Sequence, residues 1–356
     1  MKKKPTILIM AGGTGGHIFP GLAVADYLKA QGWRVVWLGA PHSMESELVP
    51  KHGYEMGLVD FYGLRGKGWL RKLTLPFSLS FALWQSLLVF LRYRPAVVLG
   101  MGGYITVPGG IMAALLRRPL VIHEQNAVAG LSNRTLARWA KRVMSGFPEV
   151  LPRAEWCGNP VRDSIASLSD PQRRYGARSG ALNVLVVGGS LGAKVINERM
   201  PQALALIPAD ARPHVLHQSG KHHYEATRSA YEKAGIEAMV APFVDNMAFY
   251  YEQADLVVCR AGALTVSELA AAGLASILIP FPHAVDDHQT VNAHFLSDRG
   301  AAVLLPQKEM TPERLAKLLQ SMTPERVLQM AQAARAAAQP NAARRVAEVC
   351  MELVKA

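Results

Sequence analysis

The chain has 356 residues, 50% of them apolar and 19% charged, with a formal net charge of +12. This length exceeds the size at which a single hydrophobic core stops growing, so the sequence predicts two domains. The chain has three cysteines, Cys157, Cys259 and Cys350, an odd number that cannot all be paired, and their spacing is not typical of a metal site. They exclude a disulfide-stapled secreted scaffold and are typical of a reducing cytosol.

The first half alternates predicted strands and helices, beginning with an apolar strand at residues 7–11. Three lysines precede this strand as in a signal peptide, but the apolar run is too short and ends in glycines. The glycine-rich turn Gly12-Gly13-Thr14-Gly15-Gly16-His17 follows, and a helix is predicted to start at Pro20 and to run over residues 21–30. Further strands are predicted at residues 35–38, 96–99 and 119–122, and the segment 148–160, which is broken by prolines and a glycine, is predicted to be the interdomain linker.

The second half opens in the same way, with the turn Gly188 to Ala193 placed 176 residues after Gly12. Strands are predicted at residues 183–187, 213–217, 256–259 and 276–279, and alanine-rich helices at residues 312–356. Strand, glycine turn and helix in succession present backbone N–H groups to an anion in doubly wound sheets. The predicted fold class is therefore α/β, with two doubly wound Rossmann-like domains facing an interdomain cleft that would join two substrates.

Positive charge is concentrated in residues 61–123, which contain no Asp or Glu. Eight cations lie there: Arg65, Lys67, Arg71, Lys72, Arg92, Arg94, Arg117 and Arg118. The uncharged stretch 73–91 inside this region has three interpretations: a transmembrane helix, a core helix, or a patch that enters the surface of a bilayer. Arg71, Ser78, Gln85 and Arg92 recur every seven residues as a polar stripe, which favours the interfacial patch over a spanning helix. Nucleic-acid binding is less favoured, because the cations alternate with Leu, Phe and Trp blocks.

In the second half, a candidate diphosphate site follows the strand 256–259. Arg260 and the Thr265 hydroxyl flank a predicted helix N-terminus, which suits a diphosphate. Glu268 either accepts hydrogen bonds from ribose hydroxyls or is only a first-turn acid that favours the helix dipole. The polar residues from His283 to Asn292 are either a sugar site or a solvated loop.

In the first half, His17, Tyr104, Glu124 and Asn126 follow three different predicted strands. The carboxyl ends of parallel strands meet at one edge of a sheet, so these side chains are expected to lie together. His17 and Glu124 are rival candidates for a general base. The sequence has no Asp-x-Asp metal pattern, so the charge of a leaving group would be met by the helix terminus and Arg260.

Together these motifs resemble the MurG family of bacterial glycosyltransferases, in the family's order and over nearly the whole chain. They are Gly12 to His17 with Pro20 to Ala23, Gly100 to Tyr104, His123 to Asn126, Gly158 to Arg162, Gly188 to Ala193 and Arg260 to Glu268. The resemblance implies a GT-B fold, with residues 1–160 and 340–356 binding the acceptor and 161–339 binding the donor. It implies transfer of N-acetylglucosamine from UDP to the 4-hydroxyl of the muramyl sugar of lipid I, with inversion, in peptidoglycan synthesis. The enzyme would be peripheral, at the cytoplasmic face of the bacterial membrane.

The resemblance also implies site residues. The donor site would comprise Arg162, Ser190, Val244, Arg260, Ala263, Leu264, Thr265, Val266, Ser267, Glu268 and Gln289, with Asn126 reaching the sugar from the other domain. Thr14, Gly15 and Gly16 would line the acceptor side, and His17, Tyr104 and Glu124 would surround the attacking hydroxyl. Some relatives carry paired glutamines where this chain has His288-Gln289, so Gln289 transfers and the role of His288 stays open.

The implied partners are UDP-N-acetylglucosamine, lipid I and an anionic membrane surface, without nucleic acid. The resemblance leaves other cell-wall synthesis proteins open as partners. No cofactor or metal is expected to be required, and stimulation by divalent cations is not readable from the sequence.

Three other functions fit the sequence less well. A nicotinamide oxidoreductase needs Gly-x-Gly-x-x-Gly after the first strand, but the sixth position counted from Gly13 is Ile18. A nonenzymatic nucleotide-sugar-binding protein would keep the second-half site and would not need residues 100–104 or the basic apolar surface. A UDP-sugar epimerase of the same fold would lack a lipid-facing region.

Overall fold

The computed structural model describes residues 4–62, 75–176, 178, 180–189 and 192–355. The chain folds into two compact units. Unit 1 comprises Met1–Arg162 and Gln339–Ala356, and unit 2 comprises Asp163–Ala338.

Unit 1 is built on a parallel seven-stranded sheet in the order β3-β2-β1-β4-β5-β6-β7. Its strands are β1 (Thr6–Met10), β2 (Arg34–Gly39), β3 (Glu55–Leu58), β4 (Val97–Gly100), β5 (Leu120–Glu124), β6 (Arg142–Ser145) and β7 (Ala154–Trp156). The helices between them are α1 (Gly15–Ala30), α2 (Met44–Lys51), α3 (Leu75–Tyr93), α4 (Thr106–Leu115) and α5 (Leu131–Leu136). From β1 the chain adds β2 and β3 on one side of the sheet, and it then returns to add β4 on the other side of β1. Such sheets bind ligands at this switch point between β1 and β4.

Unit 2 repeats the arrangement with six strands in the order β10-β9-β8-β11-β12-β13, again all parallel. The strands are β8 (Asn183–Val187), β9 (His214–Gln218), β10 (Met239–Ala241), β11 (Leu256–Cys259), β12 (Ala275–Leu278) and β13 (Ala302–Leu304). The helices are α6 (Asp163–Ala166), α7 (Pro171–Gly176), α8 (Lys194–Ala205), α9 (Tyr224–Lys233), α10 (Met247–Gln253), α11 (Ala263–Ala272), α12 (His288–Ser297), α13 (Pro312–Gln320) and α14 (Pro324–Ala336). The predicted fold class, two doubly wound α/β domains, is confirmed.

The inner strands are buried on both faces, because helices cover each side of the sheet, whereas the edge strands β3, β7 and β10 have exposed residues. In β1, Ile7 and Ile9 belong to a core that includes residues of α1, while Leu8 and Met10 face a second core formed with α3, α4 and α5. The last helix of the chain, α15 (Ala342–Lys355), packs against α1 in unit 1 and completes the first of these cores.

Two predictions about elements of unit 1 are wrong. Helix α1 begins at Gly15, directly after the glycine turn, and Pro20 lies inside it. Proline there removes the hydrogen bond to the Gly16 carbonyl and its ring crowds that carbonyl, yet the helix continues through this second turn to Ala30. The predicted linker 148–160 contains β7, which pairs with β6 and belongs to unit 1. This edge strand has three residues, too few to show any periodicity.

Helix α3 is packed on one side and exposed on the other. Ala82, Ser86, Val89, Phe90 and Tyr93 are buried. Gln85, from the predicted polar stripe, accepts a hydrogen bond from the Asp60 N–H at 2.7 Å, whereas Arg71 lies outside the described residues together with Arg65, Lys67 and Lys72. By length and composition, α3 is the one helix in the described part of the chain that is apolar enough to cross a membrane.

Candidate active-site residues

Two glycine turns meet at the switch point of unit 1. The first connects β1 to α1, and the second follows β4. Gly103 has a φ of +88°, and a Cβ at this position would lie 2.4 Å from the carbonyl oxygen of Gly12. The two backbones therefore touch, and no side chain fits between them. Glu45, fully buried on α2, accepts a hydrogen bond from the Gly13 N–H at 3.2 Å.

His17 lies in the first turn of α1, above this contact. Its Nδ1 is 2.8 Å from Oε1 of Gln125 in the loop after β5. A Cβ on Gly102 would come within 3.0 Å of the His17 ring, so this glycine leaves the space that the ring occupies. Gln125 Nε2 lies 3.0 Å from Nδ1 of His123, whose Nε2 faces the Gly158 carbonyl at 2.9 Å. The ring of His17 is thus held by a chain of buried polar groups.

The carboxylate of Glu124 is only 2% exposed and organises the loop after β5. Its Oε1 accepts from the backbone N–H of Asn126 at 2.9 Å and from the Asn126 amide at 3.3 Å. Its Oε2 accepts from the Gly130 N–H at 3.1 Å and from Asn133 Nδ2 at 2.9 Å. Four donors converge on this carboxylate, which therefore fixes the position of Asn126.

Tyr104 and Thr14 complete the predicted first-half group. A Cβ on Gly13 would lie 3.6 Å from the Tyr104 ring, so the phenol covers the glycine turn. Burial, with the nearby charges of Glu45 and Tyr62, raises the pKa of Tyr104. Thr14 precedes α1 in an extended conformation without a capping hydrogen bond, and the first helical turn has no acid. The N-terminus of α1, with Gly15 and Gly16, is therefore open to an anion.

In unit 2, helix α11 begins in the same manner after β11. Gly262 precedes it in an extended conformation, and neither a side-chain cap nor a first-turn acid is present. The first-turn interpretation of Glu268 is therefore wrong: Glu268 is the sixth residue of the helix and 6% exposed. At the other end of α11, Arg174 donates to the carbonyls of Ala272 and Gly273 at 2.6 and 2.7 Å. The helix is thus anchored at its C-terminus and open at its N-terminus.

Arg260 is engaged with the loop after β12. Its guanidinium donates to the carbonyls of Ile279 and Pro280, both at 3.1 Å, and to Gln307 Oε1 at 2.6 Å. Its Cζ lies 5.4 Å from the centre of the Phe281 ring. Gln289 accepts from the Phe281 N–H at 2.9 Å, so Arg260 and Gln289 hold the same short loop.

The structure brings the predicted residues together in two groups. Thr14, Gly15, Gly16, His17, Tyr104, Glu124 and Asn126 lie at the switch point of unit 1. Arg260 and Ala263, Leu264, Thr265, Val266, Ser267 and Glu268 lie at the β11–α11 junction of unit 2, connected through Phe281 to Gln289. Val244 is buried after β10 in the same unit, and Ser190 lies outside the described residues. Arg162 is the last residue of unit 1 before the boundary, with its guanidinium 5.8 Å from the Phe19 ring centre.

Sequence reasoning missed Glu45, Gln125 and Asn133 as residues that shape the site. Gln125 stands inside the motif His123 to Asn126, which was the available signal, whereas Glu45 and Asn133 lie in no predicted motif. Among the residues that the structure describes, no group of three or more His, Cys, Asp or Glu side chains is arranged to hold a metal ion.

The chain is similar to known proteins over nearly its whole length. The N-terminal domain of glycosyltransferase family 28 matches residues 7–145, and its C-terminal domain matches residues 183–348. A relative from Aromatoleum aromaticum is 61% identical and one from an Azoarcus species is 59% identical, each over 98% of this chain and 98% of its own length. Both are named UDP-N-acetylglucosamine--N-acetylmuramyl-(pentapeptide) pyrophosphoryl-undecaprenol N-acetylglucosamine transferase. The crystal structure of Acinetobacter baumannii MurG superimposes with a TM-score of 0.86 at 42% identity, covering 98% of this chain and 99% of that chain. The resemblance carried by the motifs is confirmed, and the chain belongs to the MurG family of N-acetylglucosaminyltransferases.

Proposed function

We propose that this enzyme transfers N-acetylglucosamine from its UDP donor to the muramyl 4-hydroxyl of lipid I, undecaprenyl-diphospho-MurNAc-pentapeptide. The product would be lipid II, the disaccharide precursor of peptidoglycan. The observation that carries the proposal is the position of His17 in the first turn of α1, beside an open helix N-terminus. Its Nδ1 is hydrogen-bonded to Gln125. This arrangement offers a base and an anion site at one edge of the sheet.

His17 is proposed as the general base. Its Nε2 would take the proton of the 4-hydroxyl while the hydroxyl oxygen forms a bond to C1 of the donor sugar. The bond between C1 and the diphosphate breaks on the opposite face, and its electron pair leaves with UDP, so the anomeric centre is inverted. Glu124 is proposed to position Asn126, because four donors already occupy its carboxylate. Tyr104 would cover the reacting hydroxyl, and Thr14 with the α1 N-terminus would hold the acceptor diphosphate.

The donor is proposed to bind at the β11–α11 junction. The N-terminus of α11, with Ala263, Leu264 and Thr265, would offset the charge of the departing diphosphate without a resident metal. Glu268, one turn further, would accept hydrogen bonds from the ribose hydroxyls. Arg260 is proposed to act through the loop that it holds, since three acceptors already engage its guanidinium.

Attachment to the cytoplasmic face of the membrane is proposed through the side of unit 1 that carries α3. Along α3, a stripe of exposed apolar side chains recurs at helical spacing: Phe77, Phe81, Trp84, Leu88 and Leu91. Phe77 is 79% and Trp84 54% exposed. Helix α4 packs against α3, and α5 packs against α4. Exposed Leu115, Leu116, Leu131 and Trp139 on or beside these two helices extend the apolar surface.

Cations accompany this surface. Arg92, Arg94, Arg117, Arg118, Arg134, Arg138, Lys141 and Arg142 are all exposed. From residue 61 to residue 148 the sequence has a single acid, and this is the buried Glu124. Apolar side chains that enter the bilayer, flanked by cations that meet anionic headgroups, support a peripheral attachment where the lipid-borne acceptor resides. Other proteins of cell-wall synthesis would reach the enzyme at the same membrane.

The decisive assay combines radiolabelled UDP-N-acetylglucosamine with a short-chain analogue of lipid I. We expect label in the lipid product, and none transferred to simple sugars. Conversion of the donor sugar without an acceptor would favour an epimerase, and binding without turnover would favour a nucleotide-sugar sensor. Either result would overturn the proposal.

A further inference from the structure

The hydrogen-bond chain behind His17 fixes where each proton lies. It starts at the carbonyl oxygen of Gly158, which can only accept a hydrogen bond, so Nε2 of His123, 2.9 Å away, carries a hydrogen. His123 is completely buried, and this burial lowers its pKa to about 4. The ring is therefore neutral at pH 7, with an unprotonated Nδ1.

The protonation state of His123 fixes the orientation of the Gln125 amide. Its Nε2 lies 3.1 Å from the carbonyl oxygen of His123 and 3.0 Å from Nδ1 of the same residue. Both of these atoms are hydrogen-bond acceptors, so the amide group that faces them must be the NH₂ group, and it donates one hydrogen to each. The amide oxygen, Oε1, must then face His17 Nδ1, 2.8 Å away. An amide oxygen only accepts, so Nδ1 of His17 carries the hydrogen.

We infer that Gln125 and His123 are positioning residues that hold neutral His17 in its Nδ1–H tautomer and leave the lone pair of Nε2 available. This inference rests on the proposed role of His17 as the base. The opposite tautomer carries its hydrogen on Nε2 and cannot accept the substrate proton there. When His17 gains that proton, Nδ1–H still donates to Gln125, so the ring stays in place through the step.

A carboxylate partner would orient a histidine in the same way but would add charge. Gln125 is neutral, so it selects the tautomer without adding a negative charge to that of Glu45 beside the glycine turn. Gly102 supports the arrangement, because a Cβ there would lie 3.0 Å from the ring of His17 and would force the ring to shift by a few tenths of an ångström. The ring is thus confined between the Gly102 backbone and the Gln125 amide.

The resting tautomer is measurable without turnover. Imidazole nitrogen NMR of the full-length enzyme, isotopically labelled at histidine, distinguishes protonated from unprotonated ring nitrogens. We expect His17 to be protonated at Nδ1 and His123 at Nε2. Gln125→Met removes the acceptor and keeps the side chain's length. It should lower kcat about tenfold, the cost of losing one hydrogen bond, while the KM for the donor stays unchanged and the Nδ1–H signal of His17 weakens.

Gln31→Met is the matched control, because Gln31 is exposed at the other end of α1. It should leave both the tautomer and kcat as in the wild type. A wild-type His17 protonated at Nε2 would overturn the inference even if Gln125→Met fails to fold. So would a folded Gln125→Met enzyme with an unchanged tautomer and unchanged kcat. If His17→Ala retains turnover, the base assignment itself fails, whichever tautomer is found.

Discussion

The two candidate bases differ in how their side chains are already used. His17 has one ring nitrogen bonded to Gln125, which leaves the other for a substrate. Glu124 has both oxygens occupied by donors from its own loop, and it is nearly completely buried. A base must reach the proton that it removes, so accessibility separates two residues that the sequence could not rank.

Substitution of the two residues should therefore have different consequences. His17→Ala should lower kcat by roughly 100-fold or more, because the proton acceptor is lost, and should lower the free energy of unfolding by only about 1 kcal/mol, the cost of one hydrogen bond to Gln125. Glu124→Gln should lower the free energy of unfolding by about 1–3 kcal/mol, since its amide group would face N–H donors. Turnover assays measure kcat of both variants, and urea unfolding measures their free energies of unfolding. A stable Glu124→Gln enzyme with a 100-fold loss of kcat, beside a mild His17→Ala, would exchange the roles.

Sequence reasoning located His17, Tyr104, Glu124 and Asn126, because parallel strands bring their carboxyl ends to one edge. It did not find that Gln125 bonds to His17, which lies 108 positions away in the chain. Such pairing depends on the exact approach of two loops, and neither residue type nor spacing encodes it. Whether Glu124 supports a loop or abstracts a proton depends likewise on which donors surround it.

Among the elements, buried apolar strands were the most predictable. The predicted ranges 183–187 and 256–259 coincide with β8 and β11, since four consecutive apolar residues before a glycine or a loop have few alternatives. The start of α1 was misplaced because proline usually marks the first helical turn. The edge strand β7 was missed because it has three residues, two of them exposed.

The contact between the two glycine turns of unit 1 gives a prediction at the scale of elements. Gly103→Ala places a Cβ 2.4 Å from the Gly12 carbonyl oxygen, so the turn that precedes His17 must move. Gly32→Ala is the matched control, with a similar φ of +80° and no atom within 4 Å. The control should lose about 1 kcal/mol of unfolding free energy, from the left-handed backbone alone.

Gly103→Ala should lose clearly more stability than this control, and most of the turnover as well. Urea unfolding and lipid I turnover of the two variants provide the comparison. Equal stability losses, with activity retained in both variants, would show that the turns can separate without consequence for catalysis.

For the whole molecule, each unit buries one neutral histidine. Desolvation lowers the pKa of His123 to about 4 and that of His217 to about 3. In the unfolded chain both would titrate near 6.5. Below pH 6.5 the unfolded state therefore binds protons first, and the stability of both units falls as the pH falls. The loss ends near pH 4 for His123 and near pH 3 for His217.

The loss should be on the order of 3 kcal/mol for His123 and on the order of 5 kcal/mol for His217 over these windows, and little between pH 7 and 8. Urea unfolding at pH 7.5, 6 and 5 tests this, and His217→Gln should flatten the pH dependence of unit 2. A midpoint that rises on acidification would contradict the assignment of neutral buried rings.

The proposed membrane attachment would depend on both apolar surface and positive charge, and these two contributions can be separated. Trp84→Gln with Phe81→Gln should weaken binding to both neutral and anionic vesicles, because it removes apolar insertion. Replacement of Arg117, Arg118, Arg134 and Arg138 with Gln should weaken binding to anionic vesicles alone, by roughly 1 kcal/mol per well-placed cation. Salt should reproduce the second effect and not the first, since it screens exposed charges.

Matched controls lie in unit 2. Leu206→Gln changes an apolar side chain that is 53% exposed, and Gln at Lys221, Lys233, Lys308 and Lys317 removes the same number of exposed charges. Both controls should sediment with vesicles as the wild type does. This result would show that binding depends on where the cations and apolar side chains lie, and not on their total number. If the unit 2 charge variant is released as readily as the unit 1 variant, net charge alone drives binding. Wild-type protein that resists both high salt and alkaline carbonate would instead support a spanning α3.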